Sequence, residues 1–204
     1  LGFMGNMVQS NSIGAAFVEA FEVFHINLSP VIVGIVVAVI AAVIFLGGTK
    51  SLATVVEKVV PIMAGIYIVG SLILICMNIT AVPAAFVSIF RGAFAPEAVL
   101  GAGAGITVRE AIRYGVARGL FSNEAGMGST PHAHARAKAE SPHHQGLCAM
   151  VSVFIDTFIV LNLTVFSVLT TGVMSSGKDG TALTQAAFMK GFGSAGIIFV
   201  AVCL

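Results

Sequence analysis

The chain has 204 residues, of which 57% are hydrophobic and 9% charged, with a formal net charge of +1 and a mean hydropathy of +1.02. A soluble domain carries about 25% charged residues, so this composition excludes a water-soluble globule and calls for an integral membrane protein. A net charge so close to zero also removes the electrostatic basis for a nucleic-acid partner.

Residues 1–24 form the first expected span, with Asn6, Gln9, Ser10, Asn11 and Ser12 embedded in it and Glu19 and Glu22 at its far end. Residues 25–30 read as a turn, and Pro30 opens the next helix. The apolar run that follows predicts a span over 31–47, closed by Gly47 and Gly48. Lys50, Glu57 and Lys58 mark a short polar loop, or a short helix, before a span at 59–79. Residues 83–94 are apolar but too short to cross and carry Arg91, so they are expected as a surface helix. A glycine-rich loop follows. Its GAGAG at 101–105 lacks the Lys-Ser/Thr ending of a phosphate-binding loop.

Thr107 is placed to cap a charged helix in which Glu110, Tyr114 and Arg118 share one face. That face must meet protein or water. The helix continues, with a break, over 107–139. SPHHQG at 141–146 reads as loop, and 146–169 as a span with one acid, Asp156, in its middle. After a loop at 170–179, residues 181–190 predict a short amphipathic helix, and a last span begins at 193–204. The expected fold class is all-α, a polytopic membrane helix bundle. Lys50 and Lys58 in one loop, and Arg136 and Lys138 in another, fall on one side, which the positive-inside rule makes cytoplasmic.

Cys76, Cys148 and Cys203 lie far apart in apolar runs and read as small buried hydrophobes. There is no basic start with a small-residue cleavage site, and the apolar run at 195–204 stops with the chain. The sequence reads as an internal segment of a longer protein.

The stretch GLFSNEAGMGSTPHAHARAK at 119–138 stands apart. Gly126 and Gly128 each cost about 1 kcal/mol relative to Ala inside a helix, and Pro131 prefers a first turn. The pattern predicts a helix, a few unwound residues, then a second helix starting near Thr130 and Pro131, capped by Ser129 or Thr130. Unwound backbone survives at membrane depth only against protein or a water-filled cavity. In transporters, such breaks hold substrate and coupling ion. Asn123 and Glu124 are placed to hold the two half-helices together, the Glu124 carboxylate accepting N–H groups that the break frees. Gly126 and Gly128 either permit close helix packing or admit a ligand to the backbone. Met127 reads as pocket wall.

Asp156 carries a charge that costs at least about 2.5 kcal/mol in mid-span. It is expected to pair with Arg113 or Arg118, or to bind a cation. His132, His134, His143 and His144 lack metal-ligand spacing, and no metal site is expected. The spacing of Ser122, His132 and Asp156 gives no support to a catalytic set. No catalytic residue is assigned.

GVARGLFSNEAGMGSTPHAHA, at 115–135, resembles the signature of the alanine/glycine:cation symporter family, the sodium:alanine symporters. GNMVQSNSI at 5–13, EKVVPIMAGIYI at 57–68 and VFIDTFIVLN at 153–162 are similar to further stretches of that family, in the same order. The resemblance implies a partial LeuT-like inverted-repeat fold with one discontinuous helix, covering the third to the start of the eighth core helix. It implies a multi-pass protein of the cell membrane that carries alanine or glycine inward with Na+ as coupling ion and no other cofactor. Proton coupling is the alternative, with a channel behind it. By that resemblance, Phe121 and Ser122 fall where an aromatic lid and a hydroxyl stand beside substrate and sodium. Gly126 and Gly128 fall on the unwound segment, and Gln9 on a substrate-facing position. The substrate set is then Gln9, Phe121, Ser122, Gly126 and Met127. The cation set is Ser122, Asn123 and Asp156, and Glu124, Gly128 and Pro131 shape the break.

Overall fold

The computed structural model describes residues 2–94, 104–126 and 128–203. The described residues fold into helices. In chain order these are α1 (Gly2–Glu22), α2 (Pro30–Leu46), α3 (Gly48–Met77), α4 (Val82–Phe94), α5 (Ala104–Ser122), α6 (Ser129–Ala135), α7 (Pro142–Phe154), α8 (Leu161–Thr171), α9 (Gly180–Phe192) and α10 (Ser194–Val202). A π turn, Ile155–Val160, links α7 to α8 in the chain. Short 3₁₀ turns fill Ile79–Ala81 and Val173–Ser176.

Several boundaries differ from the expectation. The polar residues Lys50 to Lys58 are not a loop; they form the first turns of α3, a 30-residue helix that runs on through Pro61. At about 1.5 Å per residue that helix is roughly 45 Å long, more than a hydrocarbon core of about 30 Å requires. SPHHQG is not a loop either. Ser141 is the N-cap of α7, its hydroxyl accepting from the His144 N–H at 3.2 Å, and Pro142 sits at the first helical position. That is a helix start written in Ser and Pro, hidden by the polar residues around it. Thr107 lies one turn inside α5, not at its first residue. The loop reading at 95–103 lies outside the described residues.

The chain divides into two compact units, residues 1–79 with 163–204, and residues 80–162. The first unit holds the better-formed core. Ala16 and Ala20 of α1 pack on Ile197 and Ala201 of α10. Leu74 of α3, Phe188 of α9 and Val200 of α10 make a second cluster, edged by Tyr67, Phe192 and Phe199. Val168, Val173 and Ala187 make a third. Small residues bring these helices together, as expected where lipid supplies no hydrophobic drive between them. A Cβ on Gly70 would meet the Phe199 ring, one on Gly191 would meet Leu74, and one on Gly196 would meet the Phe188 carbonyl. Gly193 joins α9 to α10 at φ +62°, ψ −148°, a conformation close to glycine's alone.

Polar groups stitch the same unit. The Gln185 side chain is 1% exposed. Its Nε2 donates to the carbonyls of Ala16 at 3.0 Å and Ile197 at 3.3 Å, tying α9 to α1 and α10. Tyr67 and Thr164 share a 2.6 Å hydroxyl contact between α3 and α8. Lys178 reaches Glu19 at 2.6 Å.

Candidate functional site

The second unit contains the helix break. α5 ends at Ser122, and α6 begins at Ser129. The end of α5 is closed by two backbone bonds, Glu124 N–H to Phe121 O at 3.2 Å and Ala125 N–H to Leu120 O at 2.9 Å. This is the Schellman arrangement, which needs a left-handed residue after the cap. Glu124 takes that place, at φ +50°, although Gly is the usual occupant. The same motif ends α1, with His25 at φ +59°. Gly126 and Gly128 continue the turn at φ +76° and +86°.

Of the two readings of these glycines, close packing does not apply within the described chain. No atom lies within 4 Å of a Cβ built on either, so their requirement is conformational. Ser129 and Thr130 are the first two residues of α6 and do not occupy its N-cap position. Gly128 stands at the N-cap without a side-chain bond, and the Thr130 hydroxyl instead donates to Glu124 Oε2 at 2.6 Å. The residue whose backbone closes the first half-helix is thereby bonded, through its carboxylate, to the first turn of the second. Pro131 occupies that first turn. His132 Nδ1 lies 2.6 Å from the Gly128 carbonyl, and His134 Nδ1 2.6 Å from Gln145 Nε2. Met127 lies outside the described residues.

The π turn supplies the other wall. Leu161 N–H bonds the Asp156 carbonyl, five residues back, so this stretch is wound wider than an α-helix. Such turns concentrate at functional sites. The consecutive residues Asp156 and Thr157 meet the consecutive residues Ser122 and Asn123. Ser122 Oγ donates to Asp156 Oδ2 at 2.7 Å, and Thr157 Oγ1 donates to Asn123 Oδ1 at 3.0 Å. Asn123 Nδ2 turns back to the Gly119 carbonyl at 3.0 Å. Asp156 therefore takes its hydrogen bond from Ser122, and the expected pairing with Arg113 or Arg118 is not made. A hydroxyl donating to an ionised acceptor is worth about 1.5–3 kcal/mol.

Three of the residues expected at a cation site, Ser122, Asn123 and Asp156, are thus brought together. The cluster offers a carboxylate, a hydroxyl and an amide oxygen, which are hard oxygen ligands, at the negative end of α5. Phe121 is 39% exposed, so packing within the described chain leaves its ring partly uncovered. Gln9 stands exposed on α1 in the first unit. Asn6, Ser10 and Asn11 line a groove of about 650 Å³ between α1 and α2, and Gln9 is not among its lining residues. Thr130, Thr157 and Asn162 were not expected to take part. Thr157 and Asn162 were legible as polar residues in the apolar run around Asp156. Nothing marked Thr130 apart from its candidacy as a cap.

Helices with exposed apolar faces, two of them long and apolar enough to cross a bilayer, define a class: a helical membrane protein. The sequence comparison narrows this. A profile of the sodium:alanine symporter family matches residues 1–204, and the chain belongs to that family. Among relatives, the amino-acid carrier protein AlsT of Bacillus subtilis is 42% identical over 203 residues, covering 100% of this chain and 42% of the relative. The sodium/alanine symporter AgcS of Methanococcus maripaludis is 39% identical over 189 residues, covering 91% of this chain and 40% of the relative. The probable sodium/glutamine symporter GlnT of Bacillus subtilis is 36% identical over 204 residues, covering 100% of this chain and 41% of the relative. The chain thus spans about two fifths of the length of these relatives.

Proposed function

We propose that this chain is the part of a secondary active symporter that contains its broken helix, and that the whole protein moves a small neutral amino acid, alanine or glycine, into the cell with Na+. The overall fold is proposed to be LeuT-like. Family membership supports cation-coupled amino-acid transport. The observation that carries the ion assignment is the bond from Ser122 to Asp156 at the end of α5. A carboxylate in mid-membrane is stabilised by a cation that neutralises it. Na+ entering there would take Asp156 Oδ2 and the Ser122 hydroxyl oxygen as ligands, with Asn123 alongside.

The substrate is assigned to the break between α5 and α6, beside Gly126 and Gly128. α6 has 7 residues, two turns, too few for a strong dipole, and the N–H groups of Glu124 and Ala125 close α5, so those of Gly126 and Gly128 are assigned to the substrate carboxylate. The open space at Gly126 leaves room for a small substrate. A sodium ion moving down about 100 mV releases roughly 2.3 kcal/mol, which suffices to drive accumulation.

The test is uptake of labelled alanine by the full-length protein, with and without sodium, in wild type, Asp156→Asn and Ser122→Ala. Wild-type uptake should require sodium. Asp156→Asn should raise the half-saturating sodium concentration by about tenfold or more, and Ser122→Ala by less, because the charge outweighs a neutral ligand. Uptake equal with and without sodium rejects sodium coupling. An unchanged sodium response in Asp156→Asn rejects the ion assignment.

A further inference from the structure

The π turn poses its own question. An α-helix would satisfy the same peptide groups with better geometry, so something must hold residues 155–160 wide. Asn162 is placed to do it. Its Nδ2 donates to the carbonyls of Thr157 at 3.0 Å and Phe158 at 3.1 Å.

Back-bonding by an asparagine is ordinary. Asn78 reaches the Leu74 carbonyl at 2.9 Å, and Asn123 reaches that of Gly119. Both reach four residues back only. Asn162 reaches five and four residues back at once, and it spends both amide hydrogens on the turn. Its side chain is exposed, so packing does not hold it; in an apolar surrounding those two carbonyls are what satisfies it.

We infer that Asn162 is a positioning residue for the cation site, acting through the π turn and not on the ion. The inference rests on the sodium reading of Asp156 given above. Tightening the turn to α geometry removes one residue of winding, which rotates Asp156 and Thr157 by about 100° relative to Asn162. The two bonds to Ser122 and Asn123 cannot both survive that rotation.

Two measurements on the full-length protein separate this role from a merely structural one. The first is disulfide cross-linking of a Ser122→Cys, Asp156→Cys pair in membranes, with Cys76, Cys148 and Cys203 replaced by Ser. The second is the sodium and alanine dependence of uptake, normalised to protein in the membrane. Asn162→Ala should lower the cross-linking yield several-fold. It should also raise half-saturating sodium about tenfold, and leave half-saturating alanine at saturating sodium within about twofold. Asn162→Gln, which keeps the amide donors, should recover most of both. Unchanged cross-linking in Asn162→Ala overturns the inference, as does an equal rise in the sodium and alanine constants. Lost cross-linking with an unchanged sodium response would show that Asn162 holds the turn while the sodium reading of Asp156 fails, and the positioning role falls with it.

Discussion

Glu124 shows how one residue can be asked for two incompatible things. As the left-handed residue after the α5 cap it is a poor choice, costing about 1–2 kcal/mol relative to glycine. As a carboxylate it accepts the Thr130 hydroxyl across the break, worth about 1.5–3 kcal/mol. The second term is the larger, so Glu124→Gly should weaken the protein despite relieving the backbone. Glu124→Gln keeps an acceptor but not the charge and should lose less. Thr130→Val, which removes the donor alone, should match Glu124→Gln to within about 1 kcal/mol. Thermal unfolding in detergent, together with alanine uptake, orders the three. A Glu124→Gly variant more stable than wild type would show that strain, not the bond, dominates. This tension was half legible in the chain. Gly126, Gly128 and Pro131 announced the break, because each resists helix on its own account. The left-handed glutamate did not, because its backbone angle is set by the Schellman bonds of its neighbours and not by its own preference.

At the scale of the element, the π turn and the α9–α10 corner mark the limit of pattern reading. The length of the apolar run found the helix around Asp156, but one residue of extra winding leaves no trace in composition. Only the cluster of Asp156, Thr157 and Asn162 hinted at it. Likewise, Ser141 and Pro142 spelled a helix start that the polar run after them masked. In the α9–α10 corner, glycines act through space. Gly196 faces the Phe188 backbone carbonyl, which cannot move aside as a side chain can. Gly196→Ala should therefore destabilise by more than the roughly 1–3 kcal/mol usual for overpacking. Gly191→Ala, which meets the end of the flexible Leu74 side chain, should cost less. Gln185 allows a sharper comparison. In Gln185→Glu a carboxylate would face the Ala16 and Ile197 carbonyls with no hydrogen to offer, at a buried site. Gln185→Met only removes the bonds. Folded yield in the membrane should fall much further for the glutamate than for the methionine. Equal yields would mean that the amide does not bind α9 to its neighbours.

On the scale of the whole molecule, the apolar surface is the dominant fact. Val31, Ile35, Val39 and Leu46 on α2 are all more than half exposed, and the most apolar 18-residue window of Pro142–Thr171 has none of its residues buried within the chain. Such faces demand lipid or further protein around them. The membrane character was therefore readable from composition alone, while the partners of each face were not. Orientation can be argued from charge and contact together. Lys178 is 2.6 Å from Glu19, so both lie at the same end of the first unit as the turn at 23–29, while Lys50 lies past the other end of α2. Seventeen residues of α2 rise about 26 Å, close to a membrane core, so the two ends belong on opposite faces. The excess of lysine near residues 50–58 predicts, by the positive-inside rule, that this end is cytoplasmic. Single cysteines at Ser29 and Lys178 should then react with an impermeant maleimide added outside intact cells, and a cysteine at Lys50 only after permeabilisation. Glu19→Cys with Lys178→Cys should cross-link under the same external conditions. External labelling at Lys50 would reverse the orientation. Labelling of Ser29 and Lys50 from the same side would remove α2 as a crossing helix.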